Sequence, residues 1–194
     1  MNIEEPKTIS RKDLEEILLK LKLRNRQHFR PVALLLLTGL RISELIRLIF
    51  DDIEFKENIM IIRNTKAGRN DKFPLYDDLR KFLIEEFQDK SGRLFDYKSR
   101  HSMKFFYKFL KSEGYDNYNF HSLRKTFISE LVNSGMSVYD VMTLARHKSI
   151  RTTLKHYTAA ELSRMGTKIS ERVKMGNILG NKNETPLKKL EYGT

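Results

Sequence analysis

The 194-residue sequence predicts a mainly α-helical domain carrying one small antiparallel β-hairpin sheet. Three observations lead there. Apolar residues recur at i, i+3 and i+4 along most of the chain. The stretch Ile59 to Arg63 (IMIIR) is rich in branched residues and fits a strand, with KFPL (Lys72 to Leu75) placed to pair with it across the loop NTKAGRND. Cap and turn residues stand at the ends of the helical runs.

Taken in order, Ser10 followed by Asp13 resembles a capping box, and Leu14, Ile17, Leu18 and Leu21 form the stripe of a first helix. The apolar segment PVALLLLTG predicts a helix buried on all sides, with Pro31 in its first turn and Gly39 at its end. A short amphipathic helix, Ile42 to Leu48, comes before the hairpin. Asp77 is placed to cap a helix bearing Leu79, Phe82, Leu83 and Phe87. Phe105, Phe106, Phe109 and Leu110 mark the next one. FHSLRKTFISELV predicts another, ended by Gly135, and Ser137 is placed to cap the helix of Val138, Val141, Met142 and Ala145. A last helix is expected from about Ala159 to Lys174, and residues 176–194 read as a tail.

Composition narrows the function. Net charge is +12, and the basic residues cluster, which points to a polyanion partner, above all nucleic acid. No cysteine is present, so disulfides, thiolate zinc sites and cysteine nucleophiles are excluded. The longest wholly apolar run, Val32–Leu37, is too short to span a bilayer, and MNIEEPKTIS lacks the order of a signal peptide. A cytoplasmic protein is expected, nucleoid-associated when on DNA, or a nuclear one in a eukaryote.

Four stretches are suited to phosphate chemistry. In TGLRISEL, Gly39 permits a tight turn that puts Arg41 at a helix mouth, where free N–H groups favour an anion, and Glu44 is spaced to hold the guanidinium. In HSLR, His121 and Arg124 lie side by side at another helix start. Lys66 stands in the hairpin loop, to donate a proton or bind phosphate, with Arg69 and Lys72 nearby. In RHKSIRTTLKHYTA, His147 and Tyr157 are ten residues apart among Arg146, Lys148, Arg151, Lys155 and His156. Tyrosine is a weak nucleophile until its phenolate is stabilised, and a basic neighbourhood does that. Attack on a phosphodiester loads charge onto its nonbridging oxygens, so converging cations are the main requirement and a metal is not needed. The pairs Asp51–Asp52 and Asp77–Asp78 read as cap and turn residues, and no GxxxxGK[ST] loop points to ATP.

In this order, TGLRISEL, the hairpin lysine, HSLR and LARHKSIRTTLKHYT resemble the motifs of the tyrosine recombinases, or phage integrases, over roughly Thr8 to Lys174. The resemblance implies that family's catalytic-domain fold, and cofactor-free cleavage of double-stranded DNA through a 3′-phosphotyrosine. It implies Tyr157 as nucleophile, Arg41 and Arg124 as phosphate clamp, and Lys66 as general acid for the 5′-oxygen. It also implies His121 as proton acceptor, His147 as a further phosphate donor and Glu44 as support for Arg41. The basic residues Arg69, Lys72, Lys125, Arg146, Lys148 and Arg151 are the expected further DNA contacts. A catalytic domain over residues 1–175 is expected, without the helical clamping domain that precedes it in the family, followed by the tail. The stripe Leu162, Met165, Ile169 and Val173 docks either on a neighbouring protomer or on its own domain, and an oligomer of up to four copies on DNA is expected, with a monomer off it. Arg146 departs from the family, which often has glycine there. Type IB topoisomerase-like relaxation, or a DNA-binding regulator that no longer cleaves, are the alternatives.

Overall fold

The computed structural model describes residues 7–63, 70–87, 91–97 and 104–156. They belong to the first of two units, Met1–His156; the second, Tyr157–Thr194, lies outside the described residues, and with it the expected last helix and tail. Among the described residues no helix is long and apolar enough to cross a membrane.

The Ser10 side chain accepts the Asp13 N–H at 3.1 Å and starts α1 (Arg11–Arg24), whose Ile17 and Leu21 are buried. Asp13 serves a second purpose, since its carboxylate accepts the Tyr118 hydroxyl at 2.7 Å. The next helix, α2 (Arg26–Thr38), begins earlier than its apolar run suggests. Asn25 caps it by accepting the His28 N–H at 3.2 Å, so Pro31 falls inside the helix and not in its first turn. Proline has no N–H to offer the carbonyl one turn back. That carbonyl, of Gln27, accepts the Tyr97 hydroxyl at 3.5 Å. Val32, Leu34 and Leu35 are fully buried, whereas Leu36 and Leu37 are half-buried, so one flank of α2 is not enclosed. Gly39 ends the helix with φ 58°, and its N–H reaches Leu35 O at 2.8 Å.

Next, α3 (Ile42–Leu45) is a single turn, shorter than the expected helix to Leu48. A 3₁₀ turn at Phe50–Asp52 leads to β1 (Ile53–Glu54), β2 (Ile59–Ile62) and β3 (Asp71–Pro74), an antiparallel sheet in the order β1-β2-β3. The hairpin pairs as expected, Ile61 with Lys72 and Ile59 with Pro74; β1 is a strand that the sequence reading lacked. Alternation buries Met60, Ile62 and Phe73. Asp52 is structural as expected: buried, it accepts Arg63 Nε at 2.7 Å.

Asp77 is the first residue of α4 (Asp77–Phe87), placed at the positive end of the helix rather than ahead of it as a cap. Then come α5 (Lys104–Ser112), α6 (Phe120–Asn133), α7 (Val138–Leu144) and α8 (Ile150–Leu154), the last one unforeseen. Ser137 caps α7 through the Asp140 N–H, as expected. The core centres on α2, which packs against α1, α4 and α6. Its edge is tied by Glu86 of α4, whose buried carboxylate accepts Arg26 and Arg30 at 2.8 and 2.9 Å.

Candidate active site

Three chain segments meet where α2 ends, α6 begins and α7 ends. Arg41 is the N-cap of α3. Glu44 stands three residues on, and its two carboxylate oxygens divide the work. One accepts the Arg41 backbone N–H at 2.8 Å; the other accepts Arg41 Nη1 at 2.7 Å. The carboxylate thus closes the helix start and fixes the guanidinium together. The Arg41 side chain is 47% exposed, that of Glu44 only 14%.

Arg124 lies one turn into α6 and is buried, 5% exposed. Its Nη1 donates to Gly39 O and its Nη2 to Ala145 O, tying the end of α2 to the end of α7. Burial, then the charges of Arg41 and Arg146, push its pKa down to about 9, so it stays a cation at neutral pH. Asn119 caps α6 by accepting the backbone N–H groups of His121 at 2.8 Å and Ser122 at 3.1 Å. This leaves His121 exposed in the first turn. Arg41, His121 and Arg124 line one cavity of about 420 Å³, together with Tyr107 and Asn119.

His147 follows α7. Its Nδ1 is 2.9 Å from Oγ1 of the buried Thr153, and its ring stacks on His156 with centroids 6.4 Å apart. Burial, then the Arg124 charge, push its pKa down to about 4. His147 is therefore neutral at neutral pH, a hydrogen-bonding group and not a cation. It lines a second cavity of about 720 Å³ with Arg41, Glu44, Arg47, Arg146 and Lys148.

The structure therefore brings Arg41, Glu44, His121, Arg124 and His147 around adjoining cavities. Lys66, Arg69 and Tyr157 lie outside the described residues. Lys72, Lys148 and Arg151 are exposed, and Lys125 is half-buried on α6. Arg146 was expected as a DNA contact. Its side chain is 6% exposed and pairs with Glu44 at 3.3 Å, on a backbone with φ 54°. Sequence reasoning also missed Thr153 and Asn119. Asn119 had a signal, a capping residue just before FHSLR with Ser122 three on; Thr153 had none.

A profile of the phage integrase family matches residues 7–164. A probable integrase/recombinase of Acholeplasma phage L2 is 29% identical over 134 residues, 64% of this chain and 46% of that protein. Tyrosine recombinase XerA of Saccharolobus solfataricus is 32% identical over 125 residues, 63% of this chain and 42% of that protein. The chain thus spans about half the length of the curated relatives it matches. Among solved structures, the Tn1549 transposon integrase in complex with a circular intermediate DNA matches with TM-score 0.68 at 20% identity, over 87% of this chain and 67% of that one. The catalytic domain of bacteriophage HP1 integrase matches with TM-score 0.66 at 23% identity, over 92% of this chain and all of that one. Both structural likenesses concern the fold.

Proposed function

The chain belongs to the phage integrase family, and from that premise we propose that it is a tyrosine-type site-specific DNA recombinase. The observation that carries the reading is the pair Arg41 and Arg124: two guanidinium groups from different helices line one cavity with His121, each held in place by other groups. Such preorganised donors stabilise charge that appears on a phosphate at the transition state.

In this mechanism the Tyr157 phenol oxygen attacks a backbone phosphorus of double-stranded DNA. The bond from phosphorus to the 5′-oxygen breaks, leaving a 3′-phosphotyrosine and a free 5′-hydroxyl. Arg41 and Arg124 hold the nonbridging oxygens. His121 accepts the phenol proton, Lys66 donates one to the leaving 5′-oxygen, and neutral His147 donates a hydrogen bond to the phosphate. A 5′-hydroxyl from another strand then displaces the tyrosine. The phosphotyrosine retains the energy of the broken diester, so no cofactor takes part.

The reading extends to assembly, with a monomer off DNA and up to four copies on it. An apolar groove lined by Leu14, Leu18, Leu36, Leu37, Leu131 and Met136 supports it, as does the apolar stripe Leu162, Met165, Ile169 and Val173 in the sequence. Light scattering of the free protein and of its DNA complex tests this part; a complex with one copy per DNA site at every concentration overturns it.

A nicked suicide substrate tests the chemistry. The protein is expected to form a denaturant-resistant adduct with DNA, and Tyr157→Phe to form none while still shifting DNA in a gel. DNA binding without any adduct overturns the proposal in favour of a regulator, and relaxation of supercoils without strand exchange in favour of a topoisomerase.

A further inference from the structure

The geometry points to Arg146 as a positioning residue for Arg41, acting through the Glu44 carboxylate that the two arginines share; the inference rests on Arg41 being a phosphate clamp.

The backbone gives the first reason. Arg146 holds φ 54°, in the left-handed region that residues with a side chain adopt only at a cost in backbone strain. Its Nε is also buried, without a hydrogen-bond partner among the described residues. A side chain reaching for DNA from the surface needs neither cost. What offsets them is a set of inward bonds. Nη1 donates to Leu144 O at 2.7 Å, and Nη2 to Gly39 O at 3.2 Å and to Glu44 Oε2 at 3.3 Å. The guanidinium also lies 5.8 Å from the centre of the Phe73 ring.

The second reason is how Glu44 is shared. Arg41 takes Glu44 through Nη1 and its own backbone N–H, and Arg41 Nη2 reaches the Arg146 carbonyl at 3.4 Å. Arg146 therefore braces Arg41 twice, through the carboxylate and through its main chain. When a phosphate draws on Arg41, Glu44 keeps a cation, so the clamp closes without stranding a mostly buried carboxylate. The charged groups facing this carboxylate are Arg41, Arg124 and Arg146, with Arg47, Asp71, His147 and Lys148 lining the adjoining cavity. Burial pulls the Glu44 carboxyl up; Arg146, then the bonds from Arg41, outweigh it and hold the group below its ordinary value.

Arg146→Gly is the test, because glycine accepts this backbone and removes only the side chain. In the free protein, NMR titration is expected to show the Glu44 carboxyl moved up toward its ordinary value, since the cation that lowers it most is gone. The Arg41 Nε–H is expected to become more mobile in ¹⁵N relaxation. With the suicide substrate, adduct formation falls by roughly tenfold to a hundredfold, while DNA affinity stays within about threefold. The acid limb of the cleavage profile moves to higher pH. Adding Glu44→Gln to Arg146→Gly brings no further loss beyond that of Glu44→Gln alone. An unchanged Glu44 titration overturns the inference. So do losses that multiply in the double variant, or DNA affinity that falls in step with adduct formation, which marks a direct DNA contact. Should Arg146→Gly not fold, Arg146→Asn, which also tolerates the left-handed region, takes its place under the same criteria. The NMR readouts need no DNA. An unaltered protein that never forms an adduct therefore sinks the cleavage reading and leaves this one testable.

Discussion

A β-carbon on Gly39 would overlap Cδ1 of the Phe127 ring and stand 2.8 Å from its Cε1, so the end of α2 and the middle of α6 touch where only a hydrogen fits. Phe127 has little room to yield, since it is 7% exposed and its ring lies 6.2 Å from that of Phe73. Gly39 also has φ 58°, and its carbonyl accepts both Arg124 and Arg146. Gly39→Ala therefore adds backbone strain of about 1 kcal/mol to overpacking of about 1–3 kcal/mol. Urea unfolding is expected to show a loss of about 2–4 kcal/mol. Adduct formation should fall more than DNA binding, because the carbonyl that anchors Arg124 moves with the helix end. A variant of parental stability would show that the ring swings aside freely.

Glu86 supports a second prediction. Its side chain is 4% exposed, while its partners Arg26 and Arg30 are 57% and 27% exposed. Removing one partner of a buried ion pair costs about 3–5 kcal/mol, but these arginines keep part of their water. Glu86→Ala is expected to lose about 2 kcal/mol in urea unfolding, and Glu86→Gln less, since the amide oxygen still accepts. The arginine bonds hold the Glu86 carboxyl below the ordinary carboxylate range. Its contribution is therefore present above the unfolded-state value of 4.5 and lost as pH falls below it. The gap between parent and Glu86→Ala should narrow in acid.

These two sites show what the sequence made legible. Helix faces and caps could be read because they are local. Ser10, Ser137 and Gly39 each act on atoms within four residues. The hairpin pairing could be read because IMIIR and KFPL flank one short loop; its register, with Met60 opposite Phe73, is seen only in the fold. The start of α2 was hidden because Asn25 lies in a polar run, RNRQH, while Pro31 offered a plausible false start. β1 is two residues long and carries no pattern. Arg41 and Glu44 were readable as an i, i+3 pair. Arg146 was not, because its partners Gly39 and Glu44 are more than 100 residues away and its backbone angle is invisible in a string of letters.

His147 gives a prediction in pH. Its folded pKa of about 4 lies below the ordinary 6.5 of histidine. The unfolded chain takes up a proton near 6.5, and the folded one resists until about 4. The stability tied to neutral His147 is thus complete above 6.5 and lost as pH falls from there toward 4. The midpoint difference between parent and His147→Asn is expected to shift in the variant's favour over that window; His28, also depressed by burial, is present in both and cancels. Between pH 6 and 8 His147 does not titrate, so His147→Asn should lower adduct formation by a constant factor of about 100. A factor that changes tenfold across that range would mark His147 as a proton-transfer group.

Arg41→Lys and Arg124→Lys should part company in stability and agree in chemistry. Lysine keeps the charge but offers a single point of donation where arginine offers a planar fork. Arg41 is 47% exposed and bound to its own helix turn, so Arg41→Lys should cost under about 1 kcal/mol of stability. Arg124 spans Gly39 O and Ala145 O in a buried position with two separate nitrogens, where lysine offers one on a shorter reach. Gly39 O keeps its bond from Arg146, but a buried Ala145 O left without a donor costs about 1–3 kcal/mol, so Arg124→Lys should be clearly less stable in urea. Both variants lose a preorganised donor at the phosphate, and each should cut adduct formation by about 100-fold to 1,000-fold. Equal stability losses would mean that Ala145 O finds another donor. Full cleavage by either variant would mean that its guanidinium does not touch the reacting phosphate.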